Sequence, residues 1–302
     1  MSLSLNDADL MDVPKDHLIC LNGRVNLPHV VILGAGASIA SFPSGDRFGR
    51  RLPLMRNLVE VLSLEEELQQ KHPELHDDFE ALYSKLHDED PNGLILRQIE
   101  RRVEDYFERL EMPHYPTLYD MLLLSLREKD AVFTFNWDPF LFDAHRRLTG
   151  VAPLPQIYHL HGNVRIALCD SCDEFGERGM PCKSCQSTVT PVPLLYPVSE
   201  KSYGARFVKR QWEAVEQMLT KAGIVTIFGY SAPVTDQRAK DLFMNAWKPG
   251  GTDSKLIERV EVIDIEDEAE LSDRWLPFSH YRHITFHRSF FDSLLAIYPR
   301  RT

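Results

Sequence analysis

The sequence predicts an α/β protein, a parallel sheet with helices on both faces, carrying a helical insertion and a small four-cysteine ribbon. Three observations predict it. Short continuous runs of β-branched residues alternate with amphipathic stretches, a glycine turn directly follows the first such run, and four of the five cysteines fall in two CxxC pairs.

Residues 1–28 read as a leader punctuated by Pro14 and Pro28. HVVIL (29–33) is continuously apolar beyond its histidine, as a parallel strand covered on both faces must be. It runs into Gly34-Ala35-Gly36-Ala37-Ser38, and SFPSGDRFGRRLP (41–53) then carries too much Pro and Gly for regular structure. Residues 54–128 read as a helical insertion. LMRNLVEVL, LEEELQQ, FEALYSKL, LILRQIERRVEDYFERL and LYDMLLLSL space their apolar residues by three and four, with breaks at His72-Pro73, Asp90-Pro91-Asn92-Gly93 and Met112-Pro113. Alternation then resumes. AVFTF (131–135), IYHL (157–160), GIVTIFG (223–229), RVEVIDI (259–265) and YRHITFH (281–287) read as strands. DPFLFDAHRRL, VKRQWEAVEQMLTKA, TDQRAKDLFMNAW and SFFDSLLAIY read as helices. The α/β domain thus spans 29–164 and 196–302, with the cysteine module between at 165–195.

Forty-five acidic against 34 basic residues leave a net charge of −11, which opposes extended contact with a phosphate backbone. Arg50-Arg51 and Arg101-Arg102 come nearest to a basic patch, and each reads as a solvated helix face. No run of 18 apolar residues exists to span a membrane, and the first residues lack the basic-then-apolar order of a signal peptide. The expected location is the cytoplasm. In that reducing setting, Cys169-x2-Cys172-x9-Cys182-x2-Cys185 points to metal rather than disulfides. Four thiolates in two knuckles suit a closed, tetrahedral, structural Zn²⁺.

Three strand ends carry candidate chemistry. Gly34 and Gly36 match two positions of the Rossmann dinucleotide fingerprint, where glycines let the backbone approach a pyrophosphate, but Ile39 stands at the third. In Thr134-Phe135-Asn136-Trp137-Asp138, Asn136 offers a donor and an acceptor to a ribose hydroxyl or a water. The plain alternative makes Asp138 a helix cap and Asn136 a turn residue. In His159-Leu160-His161-Gly162, His161 precedes the glycine and is favoured over His159 as a proton acceptor.

GAGAS, TFNWD and LHG, in this order and followed by the four-cysteine ribbon and IFGYS (227–231), resemble the sirtuin (SIR2) pattern over about residues 29–265. The resemblance implies a Rossmann-like NAD-binding fold. Gly34, Ala35, Gly36 and Ser38 would border the pyrophosphate, and Asn136 and Asp138 would line the nicotinamide–ribose pocket. His161 would be the general base, while Gly229, Ser231 and Asp264 would meet the adenosine half. Two departures bear on activity. SFPSGDRFG stands where protein-deacylating sirtuins carry GIPDFRS, and PVPLLYPVSEKSY (191–203) stands where they carry FGExLP, the edge that grips a peptide. With these departures the chain resembles the SIR2-like NADases of prokaryotic anti-phage defence.

The expected activity is hydrolysis of the nicotinamide–ribose bond of NAD, with NAD as substrate and zinc as a structural ion. Gating by a homo-oligomer or an activating partner protein is expected, since unrestrained NAD depletion is toxic. Two alternatives stay open: an NAD-dependent protein deacylase, which needs an acyl-lysine peptide, and a non-catalytic sensor that binds NAD or ADP-ribose without cleaving it.

Overall fold

The computed structural model describes residues 27–64, 78–198, 205–233, 236–246, 257, 259–279 and 283–301. The leader through residue 26 and the LEEELQQ segment beyond Leu64 lie outside the described residues.

Nine strands are found among them: β1 (His29–Leu33), β2 (Ala131–Thr134), β3 (Gln156–His159), β4 (Ile166–Cys169), β5 (Glu174–Glu177), β6 (Thr190–Pro191), β7 (Ile224–Phe228), β8 (Arg259–Ile263) and β9 (His283–His287). Six form one sheet in the order β3-β2-β1-β7-β8-β9, every neighbouring pair parallel. Strands buried on both sides need no polar alternation, and all five residues of β1 and of β8 are buried.

The helices are α1 (Ala35–Ser41), α2 (Leu58–Val61), α3 (Phe79–Glu89), α4 (Leu94–Glu108), α5 (Leu118–Ser125), α6 (Phe140–Leu148), α7 (Arg206–Lys221), α8 (Gln237–Ala246), α9 (Glu268–Ser279) and α10 (Leu294–Ile297). The side chains of β1 divide two cores between them. Val31 and Leu33 pack with residues of α1 to α6 and α10, and Val30 and Ile32 pack with residues of α7, α8 and α9. The helical insertion therefore forms much of one of the two helical layers of the sheet. Its α4 shows why: Leu96, Ile99, Val103 and Phe107 form one buried stripe at helical spacing.

Two expected helices are shorter than their periodicity. LMRNLVEVL begins as a 3₁₀ turn (Met55–Asn57), because the Asn57 side chain accepts from the Leu54 N–H at 2.7 Å and tightens the entry. SFFDSLLAIY splits into a 3₁₀ turn (Phe290–Asp292) and α10, because Ser293 is extended and its hydroxyl donates back to the Phe290 carbonyl at 2.6 Å. The irregular stretch after α1 is held by one buried carboxylate. Asp46 accepts from the amides of Phe48 and Arg50, both at 2.8 Å, and of Glu111 at 3.1 Å.

The cysteine module is a separate antiparallel sheet, β5-β4-β6, inserted between β3 and α7. It docks on α7 through Phe175 edge-on to Phe207 at 5.1 Å and through Asp173, which pairs with Arg206 at 2.8 Å and with Arg210. The Sγ atoms of Cys169, Cys172, Cys182 and Cys185 lie within 4.8 Å of one another, and none is in a disulfide. Tetrahedral zinc bound to four thiolates spaces its sulfurs about 3.8 Å apart, so the donor set fits the ion.

Two outcomes check this architecture. Gly229 has φ +59°, and a Cβ there would lie 2.2 Å from the Ala37 nitrogen. Gly179 has φ +81° with nothing within 4 Å of such an atom. Urea denaturation should show Gly179→Ala costing about 1 kcal/mol and Gly229→Ala about 3 kcal/mol or more; equal costs contradict the backbone contact. Elemental analysis of purified protein should find one zinc per chain, lost in Cys182→Ala.

Candidate active site

The register brings Leu33, Thr134, His159, Phe228 and Ile263 level at the carboxyl edge of the sheet. The three sequence motifs and the 229–231 turn therefore leave the sheet side by side. From β1 the chain crosses to β2 on one side, and from β3 it returns to β7 on the other. That reversal is where open parallel sheets make their crevice.

The glycine turn is built against its neighbour across this switch point. The Gly34 amide donates to the Phe228 carbonyl and the Gly36 amide to the Gly229 carbonyl, both at 3.0 Å. A Cβ on Gly34 would meet the Gly229 oxygen at 2.4 Å, and one on Gly36 would meet the Gly229 Cα at 2.8 Å. The glycines expected to admit a ligand are thus required first by contact between two loops.

Ser38 is the centre of a buried network. Its hydroxyl has one proton and two lone pairs, and three groups meet it. It donates to Asp138 Oδ2 at 2.6 Å, and it lies 2.6 Å from the Tyr119 hydroxyl and 2.9 Å from Asn136 Nδ2. Asp138 takes its one donated proton, so Tyr119 and Asn136 must donate to it. The other amide proton of Asn136 goes to the Gly34 carbonyl at 2.8 Å. Both protons of the amide are engaged within the protein, which leaves Oδ1, an acceptor, for any ligand. Asp138 does not face a ligand. Its Oδ1 accepts from the Phe140 amide at 3.1 Å, and its backbone carbonyl accepts from Asn163 Nδ2 at 2.7 Å. Burial pushes its carboxyl up to about 6, against hydrogen bonds from Ser38 and the Phe140 amide that hold it down.

His161 belongs to a second cluster. Its ring stands edge-on to Phe135, with centroids 4.8 Å apart and planes at 81°. Its Nε2 lies 3.4 Å from Asp236 Oδ1. Tyr230 stacks on Phe135 at 4.1 Å and donates its hydroxyl to Asp236 Oδ2 at 3.0 Å. His159 sits differently: it is 2 % exposed, neither ring nitrogen has a hydrogen-bond partner among the described residues, and burial lowers it to about 3. A segment beyond the ribbon closes over this edge. The Leu195 amide donates to the His161 carbonyl at 2.9 Å, and Gly162, at φ +81°, comes so near that a Cβ would lie 2.3 Å from the Pro193 oxygen.

Ser38, Asn136 and Asp138 are thus brought together, with Gly34 and Gly36 beside them and Gly229 opposite. Ser231 is exposed on the following turn. Asp264 is half-buried, accepts from the Glu266 amide at 3.2 Å, and has its carboxyl raised by burial. Tyr119 and Asp236 complete the two clusters and escaped the sequence reading. Tyr119 sits in the segment read as a helical insertion, and its signal is the Thr117–Asp120 cap that starts α5 just before it. Asp236 had no signal beyond its place in a loop after a strand end. Arg50 and Arg102, each read as a solvated face, meet with Arg109 and Asp105 in a shallow cleft of about 350 Å³ that contains none of these site residues.

The raised carboxyl of Asp138 has a consequence for stability. In the unfolded chain it ionises near 3.8, in the folded protein near 6, so between these values the folded state holds the extra proton. Stability should fall by roughly 3 kcal/mol as pH rises from about 4 to 6 through this group. Urea denaturation at pH 4, 5 and 6 checks it: Asp138→Asn should lack that slope, and an unchanged slope contradicts it.

No protein-family model matches the sequence, and no curated protein matches it. Solved structures do. A serine-to-alanine mutant of a Sir2 homologue, in complex with ADP-ribose, aligns over 96% of this chain and 96% of its own, with 15% identity and a TM-score of 0.52. A histidine-to-asparagine mutant of a Sir2 homologue with ADP-ribose aligns over 95% and 96%, at 16% identity and a TM-score of 0.49. A Sir2 bound to acetylated peptide aligns over 95% of each chain, at 18% identity and a TM-score of 0.44. At such identities the likeness concerns the fold. The chain has the fold of Sir2 proteins, a parallel six-stranded sheet beside a four-cysteine module compatible with a zinc ribbon.

Proposed function

We propose that the chain is a sirtuin-superfamily NAD glycohydrolase, releasing nicotinamide and ADP-ribose from NAD. A Sir2 protein of this fold was solved with ADP-ribose, which is what NAD becomes when nicotinamide leaves and water adds. The pyrophosphate would lie along Gly34, Ala35, Gly36 and Ser38, with the adenosine half toward Gly229, Ser231 and Asp264. The nicotinamide ribose would lie between Asn136 and His161. Asn136 Oδ1 would accept from a ribose hydroxyl, held in place by Ser38, Tyr119 and Asp138. The glycosidic C–N bond would break with its electron pair going to the pyridinium nitrogen. Water would add to the oxocarbenium-like carbon, and His161 would take the proton.

One observation favours hydrolysis over deacylation. The chain's own 193–197 segment lies against His161 and Gly162 where a deacylase would grip its peptide, and it is pinned from the helical insertion. The Tyr196 ring stacks on Tyr83 at 4.9 Å and lies 5.2 Å from Trp137, and Ser84 donates to the Pro197 carbonyl at 2.6 Å. The same pinning suits a gated effector. The defence role, a cytoplasmic location and control by an oligomer or partner protein belong to this proposal. They rest on the resemblance of GAGAS…FPSGD to the defence proteins.

Nicotinamide release from NAD by purified protein, alone and with the product of its neighbouring gene, tests the reading. Turnover without any acyl peptide is expected, falling at least about 100-fold in Asn136→Ala and in His161→Ala. Turnover that requires an acyl-lysine peptide would establish deacylation instead. NAD binding by calorimetry with no nicotinamide released in either setting would favour the sensor.

A further inference from the structure

We infer that Asp236 is a positioning residue for His161, fixing the tautomer of its ring and raising its basicity. The inference rests on the reading of His161 as the proton acceptor, but its geometry stands apart from that reading. Asp236 is 2 % exposed, and His161 is 7 % exposed. The carboxylate has Oδ1 3.4 Å from His161 Nε2, and its Oδ2 accepts from the Tyr230 hydroxyl at 3.0 Å.

The aromatic walls hold this arrangement. Phe135 stands edge-on to the imidazole, Tyr230 stacks flat on Phe135 with planes 2° apart, and Trp212 lies 6.4 Å from the imidazole. The Tyr230 ring that buttresses Phe135 thus also carries the hydroxyl that holds Asp236. Trp212 is itself fixed by donating Nε1–H to the Leu160 carbonyl at 3.0 Å. The ring can therefore turn little.

Oδ1 stands at an ion-pair separation from Nε2 rather than in an aligned hydrogen bond; its negative charge favours a proton on that nitrogen, which leaves the lone pair for the reaction on Nδ1. As His161 takes its proton, the imidazolium forms beside a buried negative charge that stabilises it. Among the described residues, the Tyr230 hydroxyl and Arg238, whose guanidinium lies 5.1 Å over the Trp212 ring, also stand at this cluster. Distance alone did not mark this pair in the sequence, where Asp236 follows His161 by 75 residues.

The test is an NMR titration of the His161 ring protons in the NAD-free protein, assigned by their loss in His161→Asn. This readout is independent of turnover, so a failure of the proposed activity leaves it intact. Wild type should titrate above the ordinary value of about 6.5. Asp236→Asn should fall by about one unit or more, and Asp236→Glu, which keeps the charge, should recover most of the shift. If nicotinamide release is present, Asp236→Asn should lower kcat about tenfold or more with little change in KM, and move the acidic limb of the pH profile down by the same shift. An unchanged His161 titration in Asp236→Asn overturns the inference. Should that variant not fold, a wild-type value at or below about 6.5 overturns it, and a higher one supports it.

Discussion

A single buried hydroxyl carries more of this structure than its size suggests. Ser38 Oγ can donate once and accept twice, and all three capacities are engaged, by Asp138, Tyr119 and Asn136. The hydroxyl and its partners come from three places in the chain: α1, the turn after β2, and the helical insertion. A buried polar group left without a partner costs about 1–3 kcal/mol, so each of these elements is held by the others. The insertion is joined to the candidate site at this point, and its Tyr119 is 0 % exposed at the junction.

The network also separates two roles that the sequence leaves merged. Asn136 keeps only an acceptor for a ligand, because its donors go to Gly34 and Ser38. Asp138 acts on Asn136 through Ser38, and its own oxygens are turned inward. In the proposed reaction, proton transfer would fall to the other cluster, where His161, Asp236 and Tyr230 meet against Phe135. Phe135 and Asn136 are adjacent in sequence, so one short turn sends a side chain into each cluster.

The sheet is legible in the sequence because strands covered on both faces are largely apolar and β-branched, as HVVIL, AVFTF and GIVTIFG are. The cysteine module is legible because metal ligands leave a fixed spacing. Helix ends are less so. SFFDSLLAIY has helical periodicity, yet one serine hydroxyl returning to the Phe290 carbonyl divides it. Asn136 and His161 are legible as strand-end residues. Tyr119 and Asp236 are not, because each does its work across a distance that only folding closes: Tyr119 lies 81 residues from Ser38, and the aromatic position alone reads as core. The 34–229 contact is likewise invisible, since a glycine that admits a ligand and one that admits a neighbouring backbone look the same in a sequence.

The central claim is that NAD lies across this switch point with its nicotinamide ribose between the two clusters. The most direct measurement is a crystal structure of His161→Ala with NAD bound. The account predicts the pyrophosphate over the Gly34–Ser38 turn and a ribose hydroxyl within hydrogen-bond distance of Asn136 Oδ1. NAD bound elsewhere on the protein, or an Asn136 amide turned to present its nitrogen to the ribose, would contradict it.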